Sequence, residues 1–319
     1  MFNAITSRAL VSRADITFID LFAGIGGTRL AFEKAGYRCV FSSEWDKYSQ
    51  QTYEANFGEK PHGDISKISS SEIPDFDVLV AGFPCQPFSS IGQRQGFEHK
   101  TQGTLFFDIA RIIGDKNPSA VLLENVKGLT HHDGGKTWQV IRETLEELGY
   151  SVCAKVLDSR YFGVPQSRER IYIAAFKDAK AADSFSFPKP SKRTIGIGKF
   201  IETGVKDRPI SRHLQNSYIF KHDDGRPEIV NVDTDKPVKT LVASYHKIQR
   251  LTGTFVMDAQ TGLRLLSESE CKAIMGFPQS FKVPVSRTQM YRQFGNSVAV
   301  PVVSKIATAM KNALEGGAE

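Results

Sequence analysis

The sequence predicts an α/β protein: a doubly wound, mostly parallel sheet followed by a smaller unit of irregular β structure. Up to about residue 177, short apolar runs alternate with amphipathic helical stretches, an order typical of a parallel sheet covered by helices on both faces. Beyond residue 187 the alternation stops, and Pro, Gly and Lys become frequent. A chain of 319 residues is long enough to build both units.

The elements follow in chain order. Apolar runs of strand length predict five strands, which are ITFIDLF, RCVFSSEW, DVLVAGF, AVLLENV and RIYIAAF. Apolar residues at helical spacing predict three helices between them, which are GGTRLAFEKAG, TLFFDIARIIGD and TWQVIRETLEELG. PEIVNV, KTLVAS and GTFVMD predict short strands of the second unit, and AVPVVSKIATAMKNALEG predicts a closing helix that packs back on the first. We therefore expect a larger unit over 1–187 plus 290–319 and a smaller one over 188–289.

Composition excludes several classes of protein. No apolar run approaches the roughly 18 residues of a membrane span, and the N-terminal stretch lacks the apolar segment of a secretory signal, so we expect a cytoplasmic protein. The cysteines at 39, 85, 153 and 271 form no CxxC pair, which argues against a zinc knuckle or a disulfide framework. No metal site is predicted.

The net charge of +6 is unevenly distributed. Residues 187–263 contain thirteen Lys or Arg against eight Asp or Glu. Charge alone supports two interpretations equally, a solvated basic face or a surface that binds phosphates.

A glycine-rich turn follows the first strand. Gly24, Gly26 and Gly27 allow positive φ and a close approach of the backbone to a ligand, although any tight turn before a helix uses glycine in the same way. Arg29 stands where a dinucleotide-binding G-x-G-x-x-G motif needs its third glycine, which disfavours a nicotinamide-dependent oxidoreductase.

The next two strand ends carry residues that suit an adenosyl ligand. Glu44 can accept hydrogen bonds from both ribose hydroxyls, and Trp45 beside it can cover an adenine ring. Asp64, followed by Ile65, is placed to bind the adenine amino group. Each of these residues alone is more often a helix cap or lies at the edge of the core. Their order after a glycine-rich turn nevertheless favours an adenosyl group without phosphates, such as that of S-adenosylmethionine.

Four further residues carry candidate chemistry. Cys85 follows the strand DVLVA and is flanked by prolines; a lone cysteine is usually a core residue, but a rigid thiol at a strand's carboxyl end is suited to act as a nucleophile. Glu124 ends AVLLENV, where burial would raise its pKa toward a useful range for proton donation, unless it is a structural carboxylate. Arg168 and Arg170 lie beside the following strand. An isolated arginine pair of this kind is most often exposed at the surface without a functional role.

Six sequence blocks together resemble the cytosine-C5 DNA methyltransferases, specifically the compact bacterial restriction–modification type. They are DLFAGIGG, GFPCQPFS, ENV, QSRERIY, RLLSESECKAIMGFP and QFGNSVAVP, in the family's order. The resemblance covers nearly the whole chain apart from the stretch near 188–260. It departs at Gln102-Gly103, where the family often has Arg-Gly, which affects one DNA contact of the loop.

The resemblance implies a reaction and a set of roles. Cys85 would attack C6 of a cytosine swung out of double-stranded DNA, Glu124 would hold N3 and the exocyclic amine, and Arg168 would hold O2 and organise Glu124, with Arg170 beside it. S-adenosylmethionine would supply the methyl group, and no metal is implied. The methyl-donor pocket would include further residues, namely Phe22, Pro84, Leu105, Asn296 and Val298.

The resemblance also implies a DNA surface. The basic region would be the target-recognition unit, and Thr240-Leu241 would be the pair that ends it. The loop from Ser89 to Gln102 would close over DNA. The expected DNA-binding residues are Gln86, Ser89, Gln166, Thr240, Arg250 and Arg264, with Arg193, Arg212 and Gln249 as further base-reading candidates. We expect a monomer that acts either beside a functionally paired restriction endonuclease or as a solitary bacterial or phage methyltransferase.

Rival interpretations remain. A branch of the family methylates transfer RNA, but its cysteine motif typically starts with Pro-Pro, whereas this chain has Phe83-Pro84. A catalytically dead DNA-binding regulator of the same fold would normally lack the nucleophile or the glutamate, and both are present here.

Overall fold

Six strands form one sheet in the first part of the chain. The computed structural model describes residues 15–84 and 105–316. The strands of this sheet are β1 (Thr17–Leu21), β2 (Arg38–Ser43), β3 (Val78–Gly82), β4 (Ala120–Val126), β5 (Ser151–Asp158) and β6 (Glu169–Phe176). Their order is β2-β1-β3-β4-β6-β5. The first four are parallel, β6 runs antiparallel to β4, and β5 pairs antiparallel with β6 at the edge, so the predicted mostly parallel sheet is confirmed.

Helices cover both faces of this sheet, as the sequence predicts. The helices are α1 (Gly27–Lys34), α2 (Lys47–Phe57), α3 (Leu105–Lys116), α4 (Lys136–Glu147), α5 (Ala179–Ser184), α6 (Arg212–Leu214), α7 (Glu268–Met275), α8 (Arg287–Asn296) and α9 (Val300–Gly316). Successive strand residues face opposite sides. Phe18 of β1 therefore shares a core with Ile306 of α9, whereas Ile19 shares a second core with Ile109 of α3 and Ile141 of α4. None of the helices in the described ranges is long and apolar enough to span a bilayer.

The closing helix packs back on the first part of the chain, which confirms that prediction. The Tyr37 hydroxyl donates a hydrogen bond to the Ala307 carbonyl at 3.1 Å, and Lys311 Nζ donates to the Gly36 carbonyl at 2.9 Å. Core residues of α9 and of the region after residue 188 belong to one continuous apolar cluster. The two parts therefore share a core, and the boundaries at 188 and 289 stay a prediction.

A three-stranded sheet forms in the second part. Its strands are β7 (Glu228–Val230), β8 (Thr254–Asp258) and β9 (Gly262–Arg264). β7 and β8 are parallel, and β9 is antiparallel to β8. The prediction of a strand at KTLVAS is wrong. Its backbone bonds to the segment before β6 instead: Leu241 N–H donates to the Gln166 side chain at 2.7 Å, and the preceding Val238 forms an isolated bridge with Gln166.

Candidate active site

The turn after β1 has a backbone that leaves little choice of residue. Phe22, Gly24 and Gly26 have φ of +58°, +55° and +86°, in the left-handed region that favours glycine. A Cβ at Gly26 would also lie 2.2 Å from a ring atom of Phe57. The glycine-rich turn is thus a structural requirement at Gly26, and it leads directly into α1.

Glu44 ties this turn to the end of β2. Its Oε2 accepts a hydrogen bond from Gly24 N at 2.8 Å and its Oε1 accepts one from Asp46 N at 2.7 Å. Burial raises the pKa of Glu44, and these two N–H groups counteract part of that rise. The neighbouring Trp45 side chain is 74% exposed. An anchored carboxylate therefore stands next to an indole whose face is open to a ligand.

The ends of β1, β2, β3 and β4 surround one cavity of about 440 Å³, which lies in the usual range of about 300–1,000 Å³ for ligand sites. Carboxyl ends of parallel strands meet at the same sheet edge, where open α/β sheets bind ligands. The cavity brings together most of the expected donor and catalytic residues, which are Phe22, Gly24, Glu44, Trp45, Pro84, Leu105, Glu124, Arg168, Arg170, Asn296 and Val298.

Two expected adenine contacts do not line the described cavity. The Asp64 carboxylate begins a short 3-10 turn instead, where Oδ1 accepts hydrogen bonds from Ser66 N at 3.1 Å and Ser66 Oγ at 2.8 Å. The Ile65 side chain is buried in the core beside β3. Gly26 likewise does not line the cavity, and it acts through the shape of the turn.

Glu124 is held at the inner end of the cavity by the strand register. It faces Tyr172 across β4 and β6, and Arg170 faces Val126 two residues further along. Because alternate strand residues share a face, Arg170 lies diagonally beside Glu124, with Nε 3.2 Å from Oε1. Burial raises the pKa of Glu124, while Arg170 and then Arg168 counteract it.

Arg168 has a different position from the one expected. Its Nη1 donates to the Leu241 carbonyl at 3.2 Å, and its Nη2 donates to the Gly295 and Ser297 carbonyls at 3.1 and 2.7 Å. Burial, with Arg170 nearby, lowers the pKa of Arg168 to about 10, so the side chain is still a cation at neutral pH. The arginine that contacts Glu124 is therefore Arg170, because the terminal nitrogens of Arg168 are engaged by carbonyl oxygens.

Three expected DNA contacts are buried. Arg264 is 1% exposed and forms ion pairs with Glu270 at 2.8 Å and Asp258 at 3.5 Å. Arg250 is paired with Asp224 and donates from Nε to the Ile219 carbonyl at 3.0 Å.

Gln166 is fully buried, and its amide donates to the Ile274 carbonyl at 2.8 Å. The expectation that Gln166, Arg250 and Arg264 contact DNA is corrected accordingly: their polar atoms are occupied by the protein.

The remaining DNA candidates divide into two groups. Arg193, Arg212 and Gln249 are exposed, whereas the Thr240 hydroxyl donates to the Ser167 carbonyl at 2.7 Å. Cys85, Gln86, Ser89 and the loop to Gln102 lie outside the described residues. Pro84, which directly precedes Cys85, is exposed and lines the cavity.

Several cavity residues were missed by sequence reasoning. Asn125 is buried, and its side-chain amide donates to the Phe83 carbonyl at 2.9 Å, which fixes the end of β3 just before Cys85. Its place inside the ENV block was the available signal. The other missed residues with polar side chains are Thr28, Asp46, Ser49, Gln289, Arg292, Gln293 and Ser297. Thr28 directly follows the DLFAGIGG block, and Gln293 and Ser297 lie within the QFGNSVAVP block, which was the available signal for these three.

Comparisons with known proteins agree with this arrangement. The family model for C-5 cytosine-specific DNA methylase matches residues 16–312. The chain is 59% identical over 300 residues to Type II methyltransferase M.BsuFI of Bacillus subtilis, covering 94% of this chain and 73% of that protein. It is 57% identical over 302 residues to Type II methyltransferase M.MspI of Moraxella sp, covering 95% and 72%. Among solved structures, a DNMT2 mutant from Spodoptera frugiperda superposes with a TM-score of 0.77 at 22% identity, covering 93% of this chain and 100% of that one.

Proposed function

The chain belongs to the C-5 cytosine-specific DNA methylase family, and on that premise we propose that it transfers a methyl group from S-adenosylmethionine to C5 of a flipped cytosine in double-stranded DNA through a covalent Cys85 adduct. The observation that carries the proposal is the shared cavity, which is lined by the Glu124–Arg170 pair, the anchored Glu44, the exposed Trp45 and Pro84, the residue that precedes Cys85 in the sequence.

The cavity fits the methyl donor. Each carboxylate oxygen of Glu44 accepts one hydrogen bond from a backbone N–H. Each has a further lone pair that can accept a hydrogen bond from a ribose hydroxyl. Trp45 offers an open aromatic face for the adenine. Asn296 and Phe22 line the remaining wall. When bound, the donor supplies an electrophilic methyl group.

The chain's own residues prepare the cytosine ring. Cytosine C5 is a poor nucleophile, and attack of the Cys85 thiolate at C6 forms an S–C bond that shifts electron density to C5. Protonated Glu124 donates its proton to ring N3, so that negative charge does not build up on the ring. Arg170 orients Glu124 and binds the cytosine O2. After methylation, loss of the C5 proton to solvent re-forms the C5–C6 double bond and expels the Cys85 thiolate, and ring N3 returns its proton to Glu124.

Access to the ring requires extrusion of the base, because C6 cannot be reached within a stacked duplex. The positive excess of the smaller unit supports DNA as the partner. Named Type II methyltransferases are the relatives at 57–59% identity, so we propose the modification role of a restriction–modification pair and a functionally paired endonuclease.

Bisulfite sequencing of genomic DNA from a host that expresses the chain tests the proposal, because it reports activity and target sequence together. We expect 5-methylcytosine at one short sequence in cells with the wild-type chain. We expect none with Cys85→Ser, since a serine hydroxyl is a far weaker nucleophile at neutral pH. Cys153→Ser, on the edge strand β5, is the matched control and retains the mark. Full methylation by Cys85→Ser would rule out the covalent route.

Trapping gives an independent readout. An oligonucleotide with 5-fluorocytosine at the mapped target should form a stable covalent complex with the wild-type chain and the donor, because fluorine cannot leave as a proton. Transfer RNA incubated in parallel with the chain and the donor should receive no methyl group. Methylated transfer RNA together with unmodified DNA would favour the RNA-directed branch instead.

A further inference from the structure

One guanidinium joins three segments that are distant in sequence. Arg168 precedes β6, which carries Arg170, and its terminal nitrogens bind the carbonyl oxygens of Leu241, Gly295 and Ser297 at 2.7–3.2 Å. The side chain is 4% exposed. Because the guanidinium is planar with donors in a fixed geometry, these carbonyls are held at fixed positions relative to one another.

The segment around Leu241 is tied to the same strand entry from other directions. Leu241 N–H donates to Gln166 Oε1 at 2.7 Å, and the Thr240 hydroxyl donates to the Ser167 carbonyl at 2.7 Å. In the opposite direction Ser167 N–H donates to the Val238 carbonyl at 2.8 Å. The part of the smaller unit at 238–241 therefore cannot shift without displacing 166–168.

The turn at 295–297 is in direct contact with the same segment. A Cβ on Gly295 would lie 2.3 Å from Ala243 N and 2.4 Å from the carbonyl carbon of Val242, so the two backbones touch without space for a methyl group. Asn296, between the two carbonyls that Arg168 binds, lines the donor cavity. A movement of 241–243 is thereby transmitted to the cavity wall.

From these contacts we infer that Arg168 is a positioning residue that couples the two binding events, so that DNA held by the smaller unit and methyl donor held by the cavity each tighten the binding of the other. The inference rests on the proposed function for the identity of the two ligands. Its physical basis is that both sites act on one shared element, the Arg168 clamp. Coupling between two sites is reciprocal and typically changes affinity by about 5–150-fold.

The test measures the Kd of S-adenosylhomocysteine, the demethylated donor, by calorimetry with and without saturating sheared genomic DNA of mixed sequence. For the wild-type chain we expect DNA to tighten this Kd about tenfold. In Arg168→Met the ratio should fall to within about twofold of one. Arg142→Met, which removes an exposed arginine of α4 paired with Glu146, is the matched control and keeps the wild-type ratio.

Of two further variants, the first guards against a folding defect and the second perturbs the same contact from the opposite side. Arg168→Lys retains the charge but lacks the planar fork, so it should give an intermediate ratio with a folded chain. Gly295→Ala forces the 242–243 backbone away from the turn and should lower the ratio while all Arg168 donors are intact. A wild-type ratio of one, or an unchanged ratio in Arg168→Lys and Gly295→Ala, would overturn the inference.

The outcome also separates the two proposals. A chain that methylates DNA but shows no coupling keeps the proposed function and refutes the role of Arg168. A chain that shows Arg168-dependent coupling yet leaves DNA unmodified keeps the clamp and refutes the proposed transfer.

Discussion

Arg170 Nε lies 3.2 Å from Glu124 Oε1, and both side chains line the cavity. The pair joins the carboxyl end of β4 to the beginning of β6, because these two strands are antiparallel neighbours. For the Glu124 carboxyl group, burial favours the protonated form, whereas Arg170 and then Arg168 favour the ionised form, so the two influences oppose each other. This is the property that a group exchanging a proton with a ring nitrogen requires.

Glu124→Gln should slow methyl transfer by about 10²–10⁴-fold, the usual contribution of a general acid. The amide has nearly the same shape but no proton to give. S-adenosylhomocysteine should bind with unchanged affinity, which calorimetry can check. Glu169→Gln is the control, because Glu169 is an exposed neighbour paired with Lys127, and it should retain the wild-type rate. An unchanged rate in Glu124→Gln would assign the proton transfer to another group.

Arg170→Met should move the alkaline limb of the kcat profile to higher pH while lowering its maximum. Burial raises the pKa of Glu124 and Arg170 counteracts the rise, so removing the cation raises that pKa further. The reaction uses the protonated acid, which is lost as pH rises through this pKa, and a higher pKa preserves it to higher pH. Single-turnover rates across a pH series measure the shift. Movement of the limb toward lower pH would contradict the assignment.

Arg264→Met should lower the free energy of unfolding by about 3–5 kcal/mol, because it leaves the carboxylates of Glu270 and Asp258 buried without their cation. Denaturant titration measures the loss. The slope of log DNA affinity against log salt concentration should not change, since this arginine is 1% exposed and offers nothing to a phosphate. A slope reduced by about one would restore Arg264 to the DNA contacts.

The free energy of unfolding of Asp20→Asn, relative to that of the wild-type chain, should increase progressively as pH rises from 5 to about 8. Asp20 is fully buried, and neither carboxylate oxygen has a hydrogen-bond partner among the described residues. Burial raises its pKa from 3.8 to about 8. Between these values the folded chain holds a proton that the unfolded chain releases, so wild-type stability falls with rising pH, and asparagine removes this dependence. Melting temperatures of both chains across that range provide the measurement, and a difference independent of pH would refute it.

The elements that the sequence predicts well are those buried on two sides. Apolar runs such as AVLLENV identify β1, β3 and β4 because both faces of each of these strands are covered. β5 lies at the sheet edge with several exposed residues, so SVCAKVLD has no continuous apolar run. α2 buries only Thr52 and Tyr53, which leaves too weak a period to recognise.

The site residues that could be predicted are those whose position follows from their own strand, whereas residues positioned by contacts with distant segments could not be predicted. Glu44 and Glu124 could be assigned to one edge of the sheet because both lie at the carboxyl ends of parallel strands, although β1 and β3 separate those strands. The roles of Arg168 and Arg170 could not be separated, since both alternate onto one face and only the distant carbonyls of Leu241, Gly295 and Ser297 distinguish them. The assignment of Arg264 to DNA is wrong because a positive charge next to a basic region says nothing about a buried carboxylate partner.

The antiparallel placement of β6 has a consequence for how this chain can be rebuilt. The interstrand register, and not the length of the polypeptide between them, places Glu124 beside Arg170. That intervening polypeptide passes through the exposed turn at Asp133 and Gly134. A break of the backbone made there should therefore leave the Glu124–Arg170 geometry intact.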